Sequence, residues 1–137
     1  MSEISMRKTM REHMVLLPHL HWQRVEDLCS VGIPDINFCY SGAEYWIEAK
    51  WLEAYPKRPS TPVRLGLTPE QALWLTERRR AGGRTCVVAK VGRQWLVFVD
   101  HFTELVRGMP REELERASHV YWLGAFDVDL FLGALRR

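Results

Sequence analysis

The stretch from Val31 to Trp51, VGIPDINFCYSGAEYWIEAKW, decides how the rest of the chain is interpreted. It contains two apolar-rich segments separated by the dipeptide Ser41-Gly42, which is typical of the two-residue turn of a β-hairpin. Such a turn pairs Tyr40 with Ala43, and every other pair then follows by counting back along both strands.

This register makes a prediction about charge. It places Asp35 directly opposite Glu48, and Lys50 shares a strand face with Glu48 because side chains alternate between faces. The other face is predicted to be apolar and to carry Ile36, Phe38, Tyr45, Ile47 and Ala49. Opposed residues have Cβ atoms roughly 5 Å apart, so two carboxylates there repel unless a cation lies between them. A divalent metal ion is the candidate that the pattern favours.

The bulk composition predicts one domain covering residues 1–137. The chain has 47% hydrophobic residues, a net charge of +2 and a pI near 8.5, which permits nucleic-acid binding without requiring it. No apolar run approaches the roughly 18 residues of a membrane span, and the N-terminal residues lack the apolar segment of a secretory signal. A cytoplasmic protein without membrane contact is expected. The three cysteines, Cys29, Cys39 and Cys86, are expected to be reduced packing residues.

The elements before and after the hairpin follow from apolar spacing and turn residues. Apolar positions recur at helical spacing over residues 4–17, which predicts an amphipathic helix there. The alternation in HWQRVED at 21–27 predicts a short strand. After the hairpin, three prolines exclude regular structure from EAYPKRPSTPVRLG, and Lys57, Arg58 and Arg64 make it an exposed basic loop.

The second half of the chain begins with a helix. Thr68 can cap it, Pro69 suits its first position, and Gln71 completes a capping box. Two strands around Gly92 follow, and residues 101–137 are predicted to be a helical extension that packs back on the sheet. The whole pattern predicts an α/β fold with one mixed sheet flanked by helices.

The segment GIPD at Gly32 to Asp35, twelve intervening residues, and EAK at Glu48 to Lys50 resemble the PD-(D/E)XK nuclease superfamily. The downstream LTPEQALWL is similar to the VRR-NUC, or virus-type replication-repair nuclease, branch of that superfamily. The resemblance covers roughly residues 21–98, which would be the nuclease core. It implies a restriction-endonuclease-like fold with the order αβββαβ and extra C-terminal helices.

The resemblance also implies a catalytic site. Asp35, Glu48 and the backbone carbonyl of Ala49 would hold Mg²⁺, with Mn²⁺ as a substitute, because hard cations prefer oxygen ligands. Lys50 would contact the attacking water or a phosphate oxygen. A further carboxylate, as catalytic residue and metal ligand, is expected from Glu26, with Glu12 of the first helix as the rival. Gln71 has two compatible interpretations: a contact to water or phosphate in the site, and the capping box alone.

The resemblance implies a Mg²⁺-dependent deoxyribonuclease of phage type, selective for Holliday junctions or other branched DNA, in a prokaryotic or phage-infected cell. Cutting two strands symmetrically requires two sites related by a two-fold axis, so a homodimer is expected. The basic loop residues Lys57, Arg58 and Arg64 are the expected DNA contacts. The alternative function is a non-catalytic nucleic-acid-binding module on the same fold.

Overall fold

The computed structural model describes residues 2–26 and 31–136 of the chain. The helices in these ranges are α1 Glu3–Met14, α2 Pro69–Arg80, α3 Phe102–Arg107, α4 Arg111–Ala117 and α5 Val128–Leu135. The strands are β1 His21–Arg24, β2 Ile36–Tyr40, β3 Ala43–Leu52, β4 Arg84–Val91, β5 Gln94–Phe98 and β6 Val120–Leu123. The first six elements follow the order αβββαβ, which confirms the predicted α/β fold.

The strands form one mixed sheet in the order β1-β2-β3-β4-β5-β6. Neighbouring strands are antiparallel except β3 and β4, which are parallel. Parallel neighbours require a crossover connection, and here that connection contains the basic loop and α2. The crossover brings the start of α2 close to the middle of β3.

The predicted hairpin and its register are confirmed, since Tyr40 pairs with Ala43 and Ile36 with Ile47. Ser41 and Gly42 both have positive φ angles, of 53° and 80°, as a type I′ turn requires. This turn matches the twist of the two strands and therefore fixes which side chains share a face.

Apolar layers cover both faces of the sheet. On one face, the α1 residues Met6, Met10 and Met14 pack with the hairpin side chains predicted to be apolar and with α5. On the other face, α2, α3 and α4 pack over β4 and β5. The even-numbered residues of β3 point toward α2, so the polar face of the hairpin lies beside the start of that helix.

Several boundaries differ from the predictions. Helix α1 ends at Met14 rather than residue 17, and Ile4 is 73% exposed rather than part of the apolar stripe. Cys86 is buried as predicted, but Cys39 is exposed, and Cys29 lies outside the described residues. The strand predicted at 21–27 is shorter, because β1 ends at Arg24, and residue 27 lies outside the described residues.

The C-terminal segment 101–137 is not wholly helical, because it contributes β6 to the edge of the sheet. The four residues of β6 alternate between half-buried and exposed positions, a period-two pattern too short to identify from sequence. Helix α5 packs back on the sheet as predicted. No helix in the described ranges has the length and apolar character needed to cross a lipid bilayer.

Candidate active site

Two acidic residues of the hairpin segment, Asp35 and Glu48, face each other across its two strands. Continuing the β2–β3 register by one residue places Asp35 opposite Glu48. The Oδ1 atom of Asp35 accepts a 3.1 Å hydrogen bond from the backbone N–H of Ala49. This bond fixes the Asp35 carboxylate against β3, beside the strand position that follows Glu48.

Glu48 and Lys50 are buried charges, 4% and 8% exposed. The Nζ atom of Lys50 lies 3.3 Å from Oε1 of Glu48, whereas Oε2 of Glu48 is buried and accepts no hydrogen bond from any described residue. Burial, and then the neighbouring Asp35 carboxylate, raise the pKa of Glu48 to about 7, and Lys50 opposes this shift. A buried oxygen without a partner is costly, so this position favours an additional cation.

Gln71 connects the start of α2 to this acidic pair. Its Nε2 atom donates a 2.9 Å hydrogen bond to Oε1 of Glu48, and its Oε1 atom accepts one of 3.0 Å from the backbone N–H of Thr68. The Thr68 hydroxyl accepts a 3.1 Å hydrogen bond from the Gln71 N–H, which completes the predicted capping box. The capping box is therefore confirmed, and the same side chain reaches Glu48, whereas a contact of Gln71 with water or phosphate stays a prediction.

Gly32 allows the GIPD segment to reach α2. Its φ angle is +90°, and a Cβ atom at this position would lie 2.5 Å from the backbone oxygen of Glu70. Only glycine fits both the backbone conformation and the space. The close approach brings the segment leading to Asp35 against the helix turn that carries Gln71.

Three residues that the sequence analysis did not identify also line the cleft: Arg7, Arg24 and Glu3. Arg7 Nη1 lies 3.3 Å from Oδ2 of Asp35 and 3.3 Å from Oε1 of Glu3, so Arg7 joins α1 to the hairpin. Arg24 Nη1 donates a 2.9 Å hydrogen bond to the backbone oxygen of Asp35. Burial raises the pKa of Asp35, and the Ala49 N–H, Arg7 and Arg24 oppose that shift. The i,i+4 spacing of Glu3 and Arg7 predicts their ion pair but gives no sign of the contact with Asp35.

An open cleft of about 530 Å³ brings these side chains together. Its lining includes Asp35, Glu48, Lys50, Gln71, Arg7, Arg24, Glu3 and Glu26. Within residues 2–26 and 31–136, no three carboxylate, histidine or cysteine side chains are grouped closely enough to form a metal site by themselves. After burial, the carboxylate of Asp35 is the largest cause of the raised pKa of Glu48.

The two residues predicted to supply a further carboxylate, Glu26 and Glu12, differ in whether they line the cleft. Glu26 is exposed and lines the cleft. Glu12 does not line it, and pairs instead with Lys8 at 3.9 Å on the exposed side of α1. Glu3, one turn before Arg7, is the acidic residue of α1 that does line the cleft. The helix-borne carboxylate nearest the site is therefore Glu3 rather than Glu12.

The segment predicted as an exposed basic loop is exposed only in part, because Val63 and Leu65 are buried in the core. Lys57, Arg58 and Arg64 are exposed, and none of them lines the cleft. At the far end of the loop, Val63 forms a β-bridge with Met109, with a 2.8 Å hydrogen bond from Val63 N–H to Met109 O. The prolines exclude longer strands, yet this bridge fixes the path of the chain next to Arg64.

Tyr55 anchors the near end of the loop. Its hydroxyl donates a hydrogen bond to Oε1 of buried Gln94, whose Nε2 donates one of 2.7 Å to Glu115. The Arg111 guanidinium lies 4.1 Å from the centre of the Tyr55 ring and 3.6 Å from Glu115. Burial raises the pKa of Tyr55 to about 12, which keeps its hydroxyl protonated as a donor. The loop charges therefore project from a fixed support.

The chain is similar to proteins of solved structure. The chain is similar to Hjc, a Holliday junction resolvase from the archaeal hyperthermophile Archaeoglobus fulgidus, with 23% sequence identity. The match covers 68% of this chain and 75% of that one, with a TM-score of 0.44. No protein-family model and no curated protein sequence matches the chain. A similarity at this level assigns no activity, so function has to be argued from the cleft.

Proposed function

We propose that this chain is a metal-dependent endonuclease that hydrolyses DNA phosphodiester bonds. The buried acidic pair carries the proposal: Asp35 and Glu48 lie opposite each other, and Oε2 of Glu48 has no hydrogen-bond partner among the described residues. A surface used only to bind anionic DNA has no need of two opposed carboxylates in its cleft. Residues 21–98 would form the nuclease core of a single domain covering residues 1–137.

The residues present fit a hard divalent cation such as Mg²⁺ or Mn²⁺. Asp35, Glu48 and the backbone carbonyl of Ala49 offer oxygen ligands only, and Glu26 or Glu3 could add another carboxylate from the wall of the cleft. When bound, the cation would neutralise charge on the phosphate and lower the pKa of a water molecule.

The chain's own residues supply the remaining steps. Lys50, held 3.3 Å from Glu48, provides a positive charge for a phosphate oxygen or the attacking water. Gln71 holds the Glu48 carboxylate in place through its 2.9 Å hydrogen bond. Arg7 does the same for Asp35, so both acidic side chains are oriented before substrate arrives.

The finer features of the proposal concern the substrate. We infer selectivity for branched DNA such as a Holliday junction, in a phage-type VRR-NUC protein of a prokaryotic or phage-infected cytoplasm. Two-fold symmetric cutting of a junction needs two copies of this cleft, which a homodimer provides. Lys57, Arg58 and Arg64 are the proposed backbone contacts, because they are exposed on a loop that is anchored at both ends.

The decisive experiment is cleavage of a labelled four-way junction and of a linear duplex, each with Mg²⁺ and with EDTA. Wild type should cut the junction with Mg²⁺ only, and Asp35→Ala, Glu48→Ala and Lys50→Ala should each lower the rate by about 10²-fold or more. Glu53→Ala, which removes an exposed carboxylate at the end of β3, is the matched control and should cut normally.

Different results of this experiment would contradict different parts of the proposed function. Binding of the junction without cleavage under any metal condition would favour the alternative, a non-catalytic binding module. Cleavage that persists in EDTA would contradict metal dependence. Circular dichroism of each variant separates loss of the site from loss of the fold.

A further inference from the structure

A cluster of two tryptophans and an arginine lies on the surface between β3 and α2. The ring centres of Trp46 and Trp74 are 5.3 Å apart. The guanidinium carbon of Arg78 lies 5.4 Å from the centre of the Trp46 ring and 5.1 Å from that of Trp74. Both indoles are half-buried, and Arg78 is exposed.

This cluster lies next to the candidate active site, on the same face of β3 and the same side of α2. Trp46 lies two residues before Glu48, on the same face of β3 and roughly 7 Å away along the strand. Trp74 and Arg78 lie three and seven residues after Gln71, so all three follow one stripe of α2. Gln71 itself bonds Glu48, and Arg78 is therefore about 10 Å from the site along the helix axis.

Arg78 is positioned to bind an anion. Among the described residues, no carboxylate lies within ion-pair distance of it, although Glu77 lines the same small hollow beside Trp74. Its contact with two indole rings restricts the guanidinium plane, which reduces the entropy lost on binding. The guanidinium edge remains available as a donor to phosphate oxygens.

We propose that Trp46, Trp74 and Arg78 form a second DNA contact of the same site, an inference that rests on the proposed nuclease function. Arg78 binds a backbone phosphate near the phosphate being cleaved, because it lies about 10 Å from the site along the axis of α2. The two indoles restrict the motion of the guanidinium before the phosphate binds. The cluster thus sets how the DNA strand lies across the cleft.

Arg80 provides a matched control for Arg78. It is an exposed arginine two residues away in the same helix, but it lines a hollow with Thr103 and Arg107 of α3, away from the cluster. Replacing either arginine with alanine changes the net charge equally. A difference between the two variants therefore reports position and not total charge.

The test is fluorescence anisotropy of a labelled junction and a labelled duplex at a series of KCl concentrations, in EDTA so that no cleavage occurs. Arg78→Ala should bind about tenfold more weakly, with a salt slope less negative by about 0.9. Arg80→Ala should match wild type. Arg78→Lys should keep the salt slope but lose affinity, because a lysine retains the charge without the planar fork.

The outcomes separate this inference from the proposed function. Equal affinities and slopes for Arg78→Ala and Arg80→Ala, in a protein that still cuts junctions, would overturn the cluster contact alone. A wild type that neither binds nor cuts the junction in the presence of Mg²⁺ would overturn both proposals. Circular dichroism and melting of the variants check that the exposed substitutions leave the fold intact.

Discussion

The side-chain amide of Gln71 donates a 2.9 Å hydrogen bond to the carboxylate of Glu48, a residue 23 positions earlier in the chain. The same amide accepts a hydrogen bond from the N–H of Thr68 at the start of α2. A helix cap and a buried acidic residue therefore share one side chain. Removal of the Gln71 amide should consequently affect both the cap and the cleft.

Two alanine variants of the capping box should separate its structural and functional parts. Thr68→Ala should lower the free energy of unfolding by about 1 kcal/mol through loss of the cap, with cleavage largely retained. Gln71→Ala should cost about 1 to 3 kcal/mol, because Glu48 also loses a donor, and it should slow Mg²⁺-dependent junction cleavage. Urea denaturation and cleavage rates provide both readouts. Equal cleavage by the two variants would restrict Gln71 to capping.

The stability of the protein in EDTA should fall as the pH rises through the range set by Glu48. In the folded chain the pKa of Glu48 is raised from 4.5 to about 7. Between these values the folded state holds a proton that the unfolded state has lost, so the free energy of unfolding decreases with rising pH. The contribution of Glu48 to stability is fully present below about pH 4.5 and is lost as the pH rises through about 7. Urea denaturation at several pH values measures the slope.

Glu48→Gln is the informative control for that slope. The variant cannot titrate at position 48, so its stability should depend less on pH over the same range. Glu53→Gln, at an exposed position, should retain the wild-type profile. An identical profile for wild type and Glu48→Gln would mean that Glu48 is ionised throughout.

The hairpin was predictable because its information is local. Ser41-Gly42 determines the turn, the turn determines the register, and period-two alternation then assigns Asp35 and Glu48 to one face. The capping box of α2 was predictable for the same reason, because Thr68 and Gln71 are three residues apart. The resemblance placed Gln71 near the site but did not predict its long-range bond to Glu48.

The contacts of the cleft that could not be predicted from the sequence depend on how helix α1 packs on the sheet. Arg7 reaches Asp35 only because the methionine stripe of α1 places the first turns of that helix beside the cleft. The same packing brings Glu3, and not Glu12, to the cleft wall. Sequence spacing identifies the stripe but not the part of the sheet on which it docks.

Removal of the basic loop charges tests the predicted DNA contact. The triple variant with Lys57, Arg58 and Arg64 changed to alanine should bind DNA more weakly, with a salt slope less negative by up to about one unit per lost phosphate contact. These side chains are exposed and lie outside the cleft, so circular dichroism should be unchanged. Anisotropy titrations in KCl measure the slope, and an unchanged slope would place the loop away from the DNA.

Tyr55→Phe tests whether the anchoring of the loop matters separately from its charge. The variant removes the hydroxyl that donates to buried Gln94, which should cost about 1 to 3 kcal/mol of stability. Amide hydrogen exchange should become faster across residues 53–64, and DNA affinity should fall while the salt slope stays constant, because no charge is lost. Tyr121→Phe, at a 51% exposed tyrosine of β6, is the matched control and should change none of these quantities. Unchanged exchange in Tyr55→Phe would show that the bridge between Val63 and Met109 is sufficient to hold the loop.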